Sequence, residues 1–108
     1  MKTYRKINNM KEFSKELKEA ERFGQTAVRV TCESAMQEGN QDYEWLMGLA
    51  NTFLQAADRA HCRKDDEMVG TYLVLYHELC DFAREHLNRE QYHRFCENQE
   101  DRCIYLYL

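Results

Sequence analysis

At 108 residues, with 44% hydrophobic and 31% charged residues, the chain has the size and composition of one globular domain. A formal net charge of −4 disfavours nucleic acid as a partner, because phosphate binding needs a basic surface. Proline is absent and only four glycines occur, so little interrupts helix and short links are expected.

The five cysteines, at 32, 62, 80, 96 and 103, form an odd set without framework spacing. The opening Met-Lys-Thr-Tyr-Arg-Lys lacks the apolar run of a signal peptide, and no segment approaches bilayer-spanning length. The expectation is a cytoplasmic protein with reduced thiols and no membrane contact.

Residues 1–8 read as a tail that Tyr4 and Ile7 anchor, with a short strand as the alternative. Lys2, Arg5, Lys6 and Lys11 read as solvated cations. Asn9 has the short polar side chain that caps a helix start. Met10, Phe13, Leu17 and Ala20 then recur at helical spacing, and Gly24 is a natural terminator.

Between 26 and 38 two patterns compete. Val28, Val30 and Cys32 alternate as a strand would. On a helical wheel, Ala27, Val28, Thr31, Cys32, Ala35 and Met36 share one half, and only Val30 falls outside. The helix is preferred, closing at Gly39.

Asn40 caps a third helix, with Asp42 near the positive end of its dipole. Its broad stripe is Tyr43, Leu46, Met47, Ala50, Phe53, Leu54, Ala57 and Ala60, widened by Trp45 and Leu49. Gly48 inside it points to close approach by a neighbour. His61, Arg63 and Lys64 gather where cations favour a helix end.

Asp65, Asp66 and Glu67 open a fourth helix. Its stripe is Met68, Tyr72, Leu75, Tyr76, Leu79, Phe82, Ala83 and Leu87, flanked by Val69, Leu73 and Cys80. So wide an apolar face implies neighbours on more than one side. Asn88 with Gln91 resembles a capping box and starts a fifth helix carrying Tyr92 and Phe95. The tail Cys103–Leu108 is apolar on both faces of a strand and needs cover.

The pattern predicts one all-α domain over 1–108, an up-and-down bundle of four to five helices. The alternative is an α+β domain with short strands at 2–7, 26–32 and 103–108.

One motif invites chemistry. Tyr76-His77-x-x-Cys80 is echoed by Tyr92-His93-x-x-Cys96. With Asn88 as the hinge of an antiparallel hairpin, Cys80 and Cys96 lie level. His77, Cys80, His93 and Cys96 then form a candidate set of two imidazoles and two thiolates, suited to tetrahedral zinc. The paired C-x-x-C or H-x-x-x-H spacing of zinc modules is missing, and His93 and Cys96 share a row with Arg89 and Glu100 that suggests an exposed edge. Packing or surface use is therefore the preferred reading of the four. His61 beside a buried Cys62, and His86 in a last helical turn, read as structural.

Other chemistry lacks material. Ser14 and Ser34 are the only serines, and no phosphate-cradling glycine loop or H-E-x-x-H occurs. Carboxylates such as Glu12, Glu16, Glu19, Glu97, Glu100 and Asp101 could hold Mg²⁺ in a small helical hydrolase. They interleave with Lys and Arg as on a solvated face.

Seven tyrosines, five phenylalanines and one tryptophan are generous for this length. Tyr72 and Tyr76, with Ile104, Tyr105, Leu106, Tyr107 and Leu108, are the candidate interaction surface. The preferred function is a non-enzymatic interaction or regulatory module that binds another protein, itself, or both. The zinc-stabilised module and the Mg²⁺-dependent hydrolase are the alternatives.

Overall fold

The computed structural model describes residues 13–37 and 43–97. They form α1 (Ser14–Phe23), α2 (Gln25–Gln37), α3 (Tyr43–Cys62), α4 (Asp66–His86) and a further helix, α5, over 89–97. The architecture is the all-α up-and-down bundle, and no strand occurs among the described residues. The strand alternative at 26–32 is overturned. Val28, Cys32 and Ala35 are buried at helical spacing on α2, whereas Val30 points outward. The strands considered at 2–7 and 103–108 lie outside the described residues, as do Asn9, Gly39, Asn40 and Asp42.

Local chemistry sets the links. Gly24 alone joins α1 to α2: its N–H donates to the Ala20 carbonyl at 2.8 Å, and its own carbonyl accepts from Ala27 N–H at 3.1 Å. Its φ of 75° with ψ of −153° belongs to a region only glycine occupies comfortably.

The α3–α4 link is a Schellman turn. Asp65 N–H reaches back to the Ala60 carbonyl and Lys64 N–H to that of His61, both at 2.9 Å. Lys64 takes the left-handed position, at φ 60°, where glycine is usual. Asp65 then caps α4, its Oδ1 accepting from Met68 N–H at 3.2 Å. Before α5, Asn88 and Gln91 make the reciprocal box: Gln91 N–H donates to Asn88 Oδ1 at 2.8 Å, and Asn88 N–H to Gln91 Oε1 at 3.2 Å.

The core forms chiefly between α3 and α4. Residues 46–54 of α3 are all buried, including Gly48 and the polar Asn51 and Thr52. Thr52 satisfies its hydroxyl by donating to the Gly48 carbonyl at 3.0 Å. From α4 come Leu75, Leu79, Phe82 and Ala83, each no more than 2% exposed. Helix α4 also packs on α1 and α2, as its wide apolar face implies. Phe95 seats α5 against the same core.

One ion-pair network locks α2 to α4. Arg29 donates to Glu78 Oε2 at 2.7 Å and to Glu85 Oε2 at 2.9 Å, two carboxylates seven residues apart on α4. Its guanidinium also lies 5.8 Å from the Phe82 ring centre. His86 stacks on the Phe82 ring itself, 4.0 Å between centroids, with Nδ1 3.0 Å from the Phe82 carbonyl.

Candidate interaction surface

Where the α1–α2 elbow crosses the first half of α4, the surface opens into a cleft of 450 Å³. Ala20, Glu21, Gly24 and Gln25 form one wall, and Gly70, Thr71, Val74 and Leu75 the other. The two walls are tied by the Tyr72 hydroxyl, which donates to Glu21 Oε1 at 2.8 Å. Burial, and then this bond to a carboxylate, push the Tyr72 phenol up to about 12.

The cleft is bare for a specific reason. A Cβ added to Gly24 or to Gly70 would meet nothing within 4 Å. Gly24 is explained by its backbone angles. Gly70 has no such excuse: it sits inside α4, where glycine costs about 1 kcal/mol against alanine, and no internal neighbour requires it.

The bundle leaves two apolar side chains exposed, one of them, Val74, in the wall of this cleft. Phe23, in the last turn of α1, is 61% exposed, and Val74, one turn after Gly70, is 48% exposed. The Arg22 guanidinium lies 5.1 Å from the centre of the Phe23 ring. The sequence signal for Val74 was its absence from both the main stripe of α4 and the flank. Phe23 gave no such signal, because it continues the three-residue step from Ala20.

A second cleft, of 400 Å³, runs between α1 and α2. Lys15, Glu16 and Glu19 face Val30, Thr31 and Ser34 across it, with Trp45 at one end. Trp45 meets Phe13 edge-on, 5.8 Å between ring centres. Val30, the residue that broke the α2 stripe, is 58% exposed here. The walls are mostly charged or hydroxylic.

The residues expected to carry function are placed differently. Tyr72 and Tyr76 are 7% and 4% exposed, so both rings belong to the core and neither offers area to a partner. Four-residue spacing puts them on the same face as Leu75 and Leu79, and that face is buried in the bundle. Residues 104–108, the other half of that expected surface, lie outside the described residues.

The four candidate zinc ligands do not converge. His77 and His93 are exposed, and His93 Nε2 turns to Glu97 Oε1 at 2.7 Å on its own helix. Cys96 is exposed, while Cys80 is half-buried against the core. The two cysteines do border one side chain. Burial first, then the Cys96 thiol and the nearby Cys80, push the Tyr92 phenol up. No three His, Cys, Asp or Glu side chains gather into a metal-holding group among the described residues. Each carboxylate set considered for Mg²⁺ includes residues outside the described ones: Glu12 in the first, and Glu100 and Asp101 in the second.

The remaining thiols separate by burial. Cys32 is fully buried beneath Arg29, and desolvation pushes its thiol up to about 12. Cys62 is exposed, against the expectation of a small buried thiol beside His61: in the last turn of α3 it is Ala60 that faces the core. No helix among the described residues is long and apolar enough to cross a membrane. No family model, curated protein or solved structure matches this chain.

Proposed function

We propose that this chain is a non-enzymatic protein–protein interaction module, and that the elbow cleft is the surface through which it works. The observation that carries the reading is apolar surface that the bundle leaves exposed: Val74 in the wall of a cleft open at Gly70, and Phe23 at the end of α1. Isolated apolar residues on a surface need no explanation. One that lines a cleft, as Val74 does, has a use, since such a side chain is worth roughly 1.5–3 kcal/mol when fully removed from water. The reading goes with a cytoplasmic setting, where an odd set of cysteines stays reduced.

The test is affinity capture from the native cell with the wild type and a Phe23→Glu, Val74→Glu double variant. Both side chains are largely exposed, so circular dichroism of the two proteins should agree. Partners retained by the wild type and absent from the variant are the expected result. An identical set of captured proteins, or none from either, overturns the reading.

A further inference from the structure

We propose that Cys96 and Cys80 are a peroxide-reactive thiol pair, whose oxidation closes a disulfide that staples α5 to α4. The pair lies on the α4–α5 hairpin and makes no use of the elbow cleft.

The hairpin sets the register. Helix α4 ends where the Leu87 N–H donates to the Ala83 carbonyl at 2.9 Å, and Asn88 starts α5 at once, its carbonyl accepting from Tyr92 N–H at 2.9 Å. In an up-and-down bundle so short a link turns α5 back along α4. Cys80 and Cys96 each stand eight residues from Asn88, and Arg84 and Tyr92 each stand four, so both pairs are level.

The side chains keep that register. The Tyr92 phenol hydrogen-bonds to the Cys96 side chain of its own helix and has Cys80 and Arg84 of α4 nearby. Tyr92 and Cys80 pack against one core, and Phe95, beside Cys96, is sunk into it. Axes of packed helices lie about 8–10 Å apart, with Cα atoms about 2.3 Å off each axis. Level residues along such a seam come within the Cα separation of roughly 4.4–6.8 Å that a disulfide spans.

The two thiols differ as an attacked and a resolving cysteine should. Cys96 is exposed and lines a 530 Å³ surface pocket with Arg89, Glu90, Tyr92 and His93, so a small oxidant reaches it first. Cys80 is half-buried and follows. The Cys96 thiolate attacks one oxygen of hydrogen peroxide and the O–O bond breaks. The departing hydroxide takes up the thiol proton as water, leaving Cys96 as a sulfenic acid. The Cys80 thiolate then attacks the Cys96 sulfur, the S–O bond breaks, and the oxygen leaves with the Cys80 proton as a second water. The two sulfurs together lose two electrons, and the peroxide gains them.

Peptide mapping of the full chain tests this. Cleavage after Lys and Arg puts Cys80 in 65–84 and Cys96 in 95–102, each the only cysteine of its peptide. Reduced, folded protein treated with stoichiometric hydrogen peroxide should yield these two peptides joined, two hydrogens lighter than their sum and separable by dithiothreitol. The oxidised chain should melt at least about 5 °C above the reduced one, because the bond closes a loop in the unfolded chain. Cys80→Ser should lose both the cross-link and the shift, and dimedone should then label Cys96 as the stranded sulfenic acid. No joining of 65–84 to 95–102 overturns the proposal, as does Cys96 bonded instead to Cys62 or Cys103. Cys96 carried on to the sulfinic acid while Cys80 stays a thiol, or a Cys80→Ser protein that dimedone leaves unlabelled at Cys96, overturns it equally.

Discussion

The Tyr72 hydroxyl donates a 2.8 Å hydrogen bond to Oε1 of Glu21, joining α4 to α1 at a residue that lines the elbow cleft. The rest of the ring is core, 7% exposed, so one side chain both fills the bundle and orients a carboxylate at its surface. A residue chosen for its amphipathic character therefore acts beneath the interaction surface rather than on it.

Removing that hydroxyl has a defined pH signature. Tyr72→Phe should lose about 1 kcal/mol at neutral pH, the worth of one hydrogen bond. The folded phenol is raised to about 12, above an unfolded value of roughly 10. Its contribution is then complete below pH 10 and fades as pH rises towards 12, because the unfolded chain loses its proton first. Urea unfolding of both proteins from neutral to alkaline pH checks this: the wild-type advantage should shrink across that interval, and a constant gap would refute the assignment.

The Arg29 network should show the opposite limb. Hydrogen bonding to Arg29 holds the Glu85 carboxyl below its usual range. A depressed carboxylate stabilises above its unfolded pKa, and that stability goes as pH falls through the folded value. Arg29→Gln should lower the unfolding midpoint at neutral pH, and the difference from the wild type should close in acid and narrow in high salt. Equal midpoints at neutral pH would show that α2 is held on α4 by packing alone.

Thiol reactivity should follow burial. Cys62 and Cys96 are exposed, Cys80 is half-buried, and Cys32 is buried with its thiol raised to about 12. The thiolate is the reactive species, so Cys32 should resist alkylation in the folded protein and react fully in denaturant. Mass spectrometry of a timed iodoacetamide reaction should give Cys62 and Cys96 first and Cys32 last. Early labelling of Cys32 would mean that the α2–α4 contact opens.

One residue in each of two links gives changes of opposite sign. Lys64 holds the left-handed position of the Schellman turn, at φ 60°, so Lys64→Gly should stabilise by about 0.5–1 kcal/mol. Gly24→Ala should destabilise by about 1–3 kcal/mol despite the open space around it, because its φ and ψ are strained for any side chain. Thermal melts of both variants decide the matter; a shift in the same direction for the two would contradict the turn assignments.

The helices and their ends were determined by the sequence itself, because the interactions that set them are short in range. Asn88 and Gln91, Asp65 with its neighbouring acids, and Gly24 satisfy or release backbone groups within a turn or two, so spacing alone reveals them. The buried stripe of α2, and the outlying Val30, were legible for the same reason. Only the tertiary structure decided which apolar residues are covered. Helical spacing gives the direction of a side chain around its own axis, not the rotation of one helix against the next. His77, Cys80, His93 and Cys96 could share a pocket on spacing alone, yet the packing of α5 on α4 leaves both histidines outside. Tyr72 and Tyr76 are buried because the bundle closes over their face, while Phe23 and Val74 are left exposed. Gly70 gains meaning only from the empty space above it, which is a property of three helices together.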